Sequence, residues 1–137
     1  MKAHGTFTPA KWDEKTFDQI APTIKITKAS VVLDFGAAGE IAGKGTVEWL
    51  MFYSNSDEKD QHNSTASYVG LMRFDGTLNG SAGSFVMEDR GTFDAGALNA
   101  TLTILPGSGT DALREISGSA TYNTSSTGMA FEMEYKL

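Results

Sequence analysis

Apolar and polar residues alternate along much of the chain, which is the pattern of β-strands with one buried face. In the last segment Phe131, Met133 and Tyr135 alternate with charged residues, so one face is apolar and the other is polar. Alternation and the glycine-rich breaks predict eight strands, at residues 5–14, 24–35, 40–53, 65–78, 82–93, 97–105, 114–123 and 128–137. Only the stretch from Glu14 to Pro22 is predicted to hold a short helical turn.

Strands that follow one another without helical crossovers are typical of a β-barrel or a β-sandwich. We favour the barrel. The length of 137 residues fits one domain with a core of its own. The sequence therefore predicts a single all-β domain over residues 1–137, an eight-stranded antiparallel β-barrel.

Two dipeptides predict tight hairpins and thereby a strand register. Asn79-Gly80 favours a two-residue turn because both central residues of that turn need positive φ, and Ala95-Gly96 suits a second one. Counting outward from these turns pairs Phe74 with Phe85, Met72 with Met87, Gly70 with Asp89, Tyr68 with Gly91, Phe93 with Leu98 and Asp89 with Leu102. For the last two strands we expect Tyr122 opposite Met129, Ala120 opposite Phe131 and Gly118 opposite Met133.

Segment 40–53 is apolar on both faces, so its inward face is left open. Val47, Trp49 and Met51 share one face, while Leu50 and Phe52 lie on the other. An apolar outer face is expected to be covered, either by the N-terminal segment or by another subunit. A homo-oligomer is therefore predicted.

Composition and charge exclude several kinds of protein. The net charge of −6, with the 11 basic residues scattered, disfavours nucleic acid and anionic membranes as partners. No apolar run approaches the roughly 20 residues that span a bilayer. The absence of cysteine excludes a disulfide framework, a thiolate zinc site and a cysteine nucleophile, and it suits a reducing compartment.

Without an N-terminal apolar signal segment, a cytoplasmic location is expected. His4 and His62 show no metal-ligand spacing, so neither a metal nor a cofactor is predicted.

Asp89 is the candidate functional residue, because the predicted register points its carboxylate inward. A buried carboxylate must be hydrogen-bonded, paired or protonated. It could be the polar anchor or the acid/base of a ligand pocket, or it could be a structural group bonded to Tyr68 or to backbone, or it could lie at the mouth of the barrel in contact with solvent. The other candidate ligand contacts are Tyr68, Met72, Tyr122, Tyr135 and Glu48; no catalytic residue is assigned.

The chain resembles an uncharacterised bacterial family of about this length, a domain of unknown function. The resemblance rests on five segments along nearly the whole chain: Gly43-Lys44-Gly45-Thr46-Val47-Glu48-Trp49-Leu50-Met51, Tyr68-Val69-Gly70-Leu71, Gly83-Ser84-Phe85-Val86, Gly91-Thr92-Phe93 and Pro106-Gly107-Ser108-Gly109-Thr110. It implies a barrel similar to allene oxide cyclase and dirigent proteins, and lipocalin-like in architecture. It also implies that Met72 and Asp89 replace an acidic and a polar residue that are usual in relatives, while Glu48 matches a recurrent position.

Three functions remain open from the sequence. The first is a barrel that binds a small, mostly apolar ligand in its interior. The second is an enzyme similar to a cyclase or isomerase that uses the buried carboxylate. The third is a structural or oligomerisation module with a solid core. The sequence leaves the function unknown and does not decide whether the protein is an enzyme.

Overall fold

Eight antiparallel strands form a closed ring of hydrogen-bonded neighbours in the described part of the computed structural model, residues 1–37, 39–57, 59–60, 63–125 and 128–137. Each strand pairs with the one before and after it in the chain, and the last pairs with the first. The strands are β1 (Lys2–Ala21), β2 (Ile24–Asp34), β3 (Ile41–Asn55), β4 (Thr65–Leu78), β5 (Ser81–Asp94), β6 (Ala97–Ile104), β7 (Ser117–Ser125) and β8 (Gly128–Lys136). A 3-10 helix at Asp111–Leu113 precedes β7.

The register predicted for β4, β5 and β6 is confirmed. Gly70 lies opposite Asp89, and Asp89 lies opposite Leu102, as counted from the two turns. Both turns have the predicted backbone, with φ of 48° and 87° at Asn79 and Gly80, and 49° and 87° at Ala95 and Gly96. Successive positive φ values give the turn a twist that matches the strands it joins, so the turn determines the pairing.

The register predicted for β7 and β8 is wrong by two residues. Tyr122 lies opposite Phe131 rather than Met129, because the ladder continues towards the turn until Ser125 pairs with Gly128. A shift of two residues leaves every side chain on the same face. The predicted inward positions of β8 are therefore correct: Phe131, Met133 and Tyr135 are 1–3 % exposed.

The helical turn predicted from Glu14 to Pro22 is wrong, since β1 is extended as far as Ala21. The first part of β1 pairs with β8 at Lys2–Phe7, and the second part, Thr8–Ala21, pairs with β2. The second pairing contains three register irregularities. Bulges of this kind absorb the residues that break simple alternation, and cross-strand pairing overrides the weak local preference for a helical turn.

Strand β3 turns Val47, Trp49, Met51 and Tyr53 inward, which the sequence left open. On its outer face Leu50 is 49 % exposed and Phe52 is 41 % exposed. The N-terminal segment does not cover this face, contrary to one of the two expectations, because β1 is paired between β8 and β2. Coverage by another subunit stays a prediction.

Aromatic side chains fill one end of the ring. Ring centroids lie 5.2–5.4 Å apart between Phe35 and Phe7, Phe74 or Phe131, and 5.3 Å apart between Phe74 and Phe85. Leu113 and Ile116 are buried in the hydrophobic core. The predicted strand 114–123 starts too early, because the 3-10 helix ends at Leu113, Ile116 packs into the core after it, and β7 begins only at Ser117. The interior at this end is closely packed.

His62 lies outside the described residues. Within those that are described, no helix has the length and apolar character needed to cross a membrane.

Gly70→Ala should destabilise the fold, because β3 and β4 approach too closely at this point to admit a side chain. A Cβ there would collide with the backbone oxygen of Glu48 and lie 2.8 Å from Cδ1 of Trp49. We expect a loss of about 1–3 kcal/mol in the free energy of unfolding, measured by urea denaturation. Ser67→Ala, at an exposed position of the same strand, is the control and should change stability by less than about 0.5 kcal/mol. Equal stability of the two variants would contradict the close approach.

Candidate functional site

Asp89 lies on β5 inside the ring, as predicted, and is 0 % exposed. Its Oδ2 accepts hydrogen bonds from Nε1 of Trp49 at 2.8 Å and from the hydroxyl of Tyr122 at 3.0 Å; the Tyr122 hydroxyl is 3.2 Å from Oδ1. Trp49 was not predicted as a partner, because the sequence left the inward face of β3 open. The buried carboxylate thus has donors from β3 and β7.

Tyr68 completes this group of polar side chains. Its hydroxyl lies 2.7 Å from the hydroxyl of Tyr122. A phenol has one proton to donate, and Tyr122 donates its proton to Asp89, so Tyr68 donates to Tyr122. We refer to Trp49, Tyr68, Asp89 and Tyr122 as the Asp89 network. It connects four strands, β3, β4, β5 and β7, through side chains alone.

Burial raises the pKa of Asp89 from 3.8 to about 6, and the hydrogen bonds from Trp49 and Tyr122 oppose this increase. Desolvation outweighs the two donors because a carboxylate can accept about four hydrogen bonds. Burial also raises the pKa of Tyr122 and of Tyr68, and the nearby Asp89 charge adds to both increases. The two phenols therefore stay protonated and remain donors.

The geometry favours a structural role for the Asp89 network. A general acid or base must come within hydrogen-bond distance of a substrate. Asp89 is fully buried, and Tyr68 and Tyr122 are 2 % and 1 % exposed. The carboxylate instead satisfies Trp49 and Tyr122, two buried donors that would otherwise lack a partner. This corresponds to the structural alternative weighed for Asp89, but the predicted partner was wrong, because the donors are Trp49 and Tyr122 and Tyr68 reaches the carboxylate only through Tyr122.

The remaining predicted contacts lie in different parts of the molecule. Met72 is buried opposite Met87, on the same inner surface as Asp89. Tyr135 is buried near one end of the ring, where its hydroxyl accepts a hydrogen bond from the Asn79 side chain at 2.7 Å. Glu48 is exposed on the outer face and accepts a 2.6 Å hydrogen bond from Ser30. Thus Asp89, Tyr68, Tyr122 and Met72 share one region, whereas Tyr135 and Glu48 do not.

A second carboxylate, Glu14, was missed by the sequence analysis. Its Oε2 accepts hydrogen bonds of 2.6 Å from both Thr27 and Tyr53, and its Oε1 accepts one of 3.0 Å from Trp12. The Trp12 ring lies 5.5 Å from the ring of Trp49, so Glu14 holds Trp12 beside the Asp89 network. Trp12 and Glu14 both fall within the predicted strand 5–14, and their alternation could have revealed this side of β1.

A groove of about 830 Å³ crosses the outer surface of β3 to β7. Leu50, Phe52 and Val69 form its apolar part, and they are 41–49 % exposed. Small residues, Gly91 and Ala100, occur in its floor, together with Tyr68 and Tyr122. The other residues that line it are polar: Ser67, Arg90, Thr92, Asn99, Thr101, Thr121 and Asn123. The sequence identified the outer face with Leu50 and Phe52 as unusual, but it did not reveal the groove.

No group of three or more His, Asp or Glu side chains is placed to hold a metal ion within the described ranges. The groove is lined by hydroxyl, amide and guanidinium groups rather than by carboxylates. Such a surface suits an organic molecule better than a divalent cation, which prefers carboxylate oxygens or imidazole.

The fold and its interior define a small all-β protein, a closed ring of antiparallel strands around a hydrogen-bonded carboxylate. The chain belongs to the DUF3224 family, which is described as a family of proteins of unknown function. The family model matches residues 3–136. This confirms the family resemblance found in the sequence. A crystal structure of a DUF3224 protein of unknown function from Shewanella oneidensis MR-1 is similar, with a TM-score of 0.73 and 18 % identity over 100 % of this chain and 97 % of that chain. At that identity the likeness shows the fold alone. No curated protein matches the chain.

Asp89→Asn should remove a pH dependence of stability. Because the pKa of Asp89 is about 6 in the folded chain and near 3.8 when unfolded, the folded chain retains a proton between about pH 4 and pH 6 that the unfolded chain releases. The unfolding free energy of the wild type should therefore fall by about 2 kcal/mol relative to the variant as the pH rises from 4 to 7. Urea unfolding measures this, and Asp94→Asn, which removes an exposed carboxylate from β5, is the control. A constant difference between wild type and Asp89→Asn would contradict the raised pKa.

Tyr122→Phe should raise the pKa of Asp89 above that of the wild type, because it removes a hydrogen bond that stabilises the charged carboxylate. Loss of the hydroxyl should also destabilise the fold by about 1–3 kcal/mol. The carboxyl ¹³C resonance of Asp89, followed by NMR through the titration, reports the pKa. Tyr135→Phe removes a buried phenol hydroxyl from outside the network and should leave this pKa unchanged. An unaltered titration in Tyr122→Phe would show that the hydroxyl does not stabilise the charge.

Proposed function

We propose that this protein binds a small, mostly apolar molecule, and that the molecule lies in the outer groove. The observation that carries the proposal is the exposure of Leu50, Phe52 and Val69 at a concave site of about 830 Å³. Small-molecule sites typically have volumes of about 300–1,000 Å³, apolar walls and a few polar groups. Covering apolar surface contributes roughly 25 cal/mol per Å², so a ligand that covers these side chains gains affinity.

The groove is better suited to a ligand than the interior that the sequence suggested. Both oxygens of Asp89 lie within hydrogen-bond distance of Tyr122, and the side chains around it are buried. An interior ligand would have to separate the Asp89 network or displace packed aromatic rings. Tyr68 and Tyr122 remain part of the proposal, because both line the groove beside the small residues Gly91 and Ala100.

The alternatives have weaker support. An enzyme that uses Asp89 would need the carboxylate to reach substrate, and the carboxylate is fully buried. A second copy of the chain is a stronger competitor for the apolar surface, because Leu71 is 52 % exposed next to the groove. The architecture of allene oxide cyclase barrels is what the sequence resemblance implies, and even as a proposal it carries over none of their chemistry.

Phe52→Ser and Val69→Ser should each weaken the binding of the neutral apolar dye Nile red about tenfold, because each removes apolar contact from the groove. Fluorescence titration measures the dissociation constant, and circular dichroism checks that each variant is folded. Leu71→Ser, which removes an equally exposed apolar side chain from outside the groove on β4, is the matched control and should bind like the wild type.

Two results would overturn the proposal. One is the same dye affinity in Phe52→Ser, Val69→Ser and Leu71→Ser. The other is a sedimentation experiment in which the wild type is an oligomer that Phe52→Ser dissociates, since a second copy would then cover the groove.

A further inference from the structure

The groove has an apolar side and a polar side, and the strand register explains why. One row of outward side chains crosses five strands in the order Leu50, Val69, Arg90, Thr101 and Thr121. The neighbouring row has the order Phe52, Ser67, Thr92, Asn99 and Asn123. The large apolar side chains therefore come from β3 and β4, and the hydroxyl and amide groups come from β5, β6 and β7, except for the Ser67 hydroxyl on β4.

Arg90 lies at the boundary between the two sides. It is opposite Val69 on β4 and Thr101 on β6. Among the described residues that line the groove, it alone carries a charge. A guanidinium group next to exposed apolar side chains is suited to a ligand that has both an apolar body and an anionic group.

The guanidinium group of Arg90 is available for such a ligand. Its Nη2 lies 3.9 Å from the carboxylate of Glu88, and the two side chains are 72 % and 56 % exposed. An ion pair that is this long and this exposed is weak. A bound carboxylate could accept two parallel hydrogen bonds from the same guanidinium, and Glu88 would remain solvated after losing its partner.

We infer that the molecule bound in the groove is an amphipathic anion, such as a medium-chain carboxylic acid, with its apolar part over β3 and β4 and its anionic group at Arg90. This inference rests on the proposed function. Adjacent strands are about 4.8 Å apart, so Leu50 and Arg90 are separated by two spacings, or about 10 Å. The apolar part of the ligand is expected to have a similar length, and Thr101 and Asn99 can donate further hydrogen bonds beyond Arg90.

Three probes with the same alkyl chain test the inference: octanoate and octylammonium, each kept below its micelle concentration, and 1-octanol, kept below its solubility limit. Isothermal titration calorimetry should give wild-type binding that is about tenfold tighter for octanoate than for octanol, because a charge-assisted hydrogen bond is added. Octylammonium should bind most weakly. Arg90→Gln should abolish the advantage of octanoate over octanol, whereas Arg90→Lys should retain part of it.

Arg73→Gln is the matched control, since Arg73 is an exposed arginine on the neighbouring strand β4 and does not line the groove. This variant should keep the wild-type preference for octanoate. If octanol binds as tightly as octanoate to the wild type, or if Arg73→Gln loses the preference as Arg90→Gln does, the inferred anionic group is wrong while the proposed function stands. If none of the three probes binds, the inference is wrong, and the proposed function is decided separately by the Nile red titration.

Discussion

Paired strands send alternate side chains to opposite sides of a sheet, and here this alternation joins the buried network to the outer groove. Trp49, Tyr68 and Asp89 point inward, and the residues that follow them, Leu50, Val69 and Arg90, point outward. On β7 the outward Thr121 precedes the inward Tyr122. A shift of one residue in any of these strands would exchange the two sets. The hydrogen bonds of Asp89 therefore also hold the groove in register.

Burial of Asp89 carries a free-energy penalty that the network reduces but does not remove. Two donors reach the carboxylate, and its raised pKa shows that desolvation still dominates. Glu14 is a less buried version of the same arrangement, a carboxylate held by a tryptophan and a tyrosine, with a threonine as third donor. The contact between the rings of Trp12 and Trp49 places the Glu14 carboxylate and its donors next to the Asp89 network. It also adds a side-chain contact between β1 and β3, which are not hydrogen-bonded neighbours.

The groove and the network differ in what they can do. Buried donors and acceptors that satisfy one another give a precise structure and no access for a substrate. Side chains exposed on a concave surface are available for binding, and their order across the strands determines which ligand fits. Membership of DUF3224 and an 18 % identical relative establish the fold. The case for a ligand depends on this chain's own side chains at the groove.

The sequence by itself determined the all-β class, two hairpin turns and the inward position of Asp89, because alternation and turn geometry are local properties of the chain. It did not determine the extended conformation of Glu14 to Ala21, which pairing with β2 imposes, or the exact pairing of β7 with β8. Only the tertiary structure decided which face of β3 is buried, since both of its faces are apolar. It also decided the partners of Asp89 and the groove, because Trp49, Asp89 and Tyr122 are distant in sequence and meet only when the ring closes.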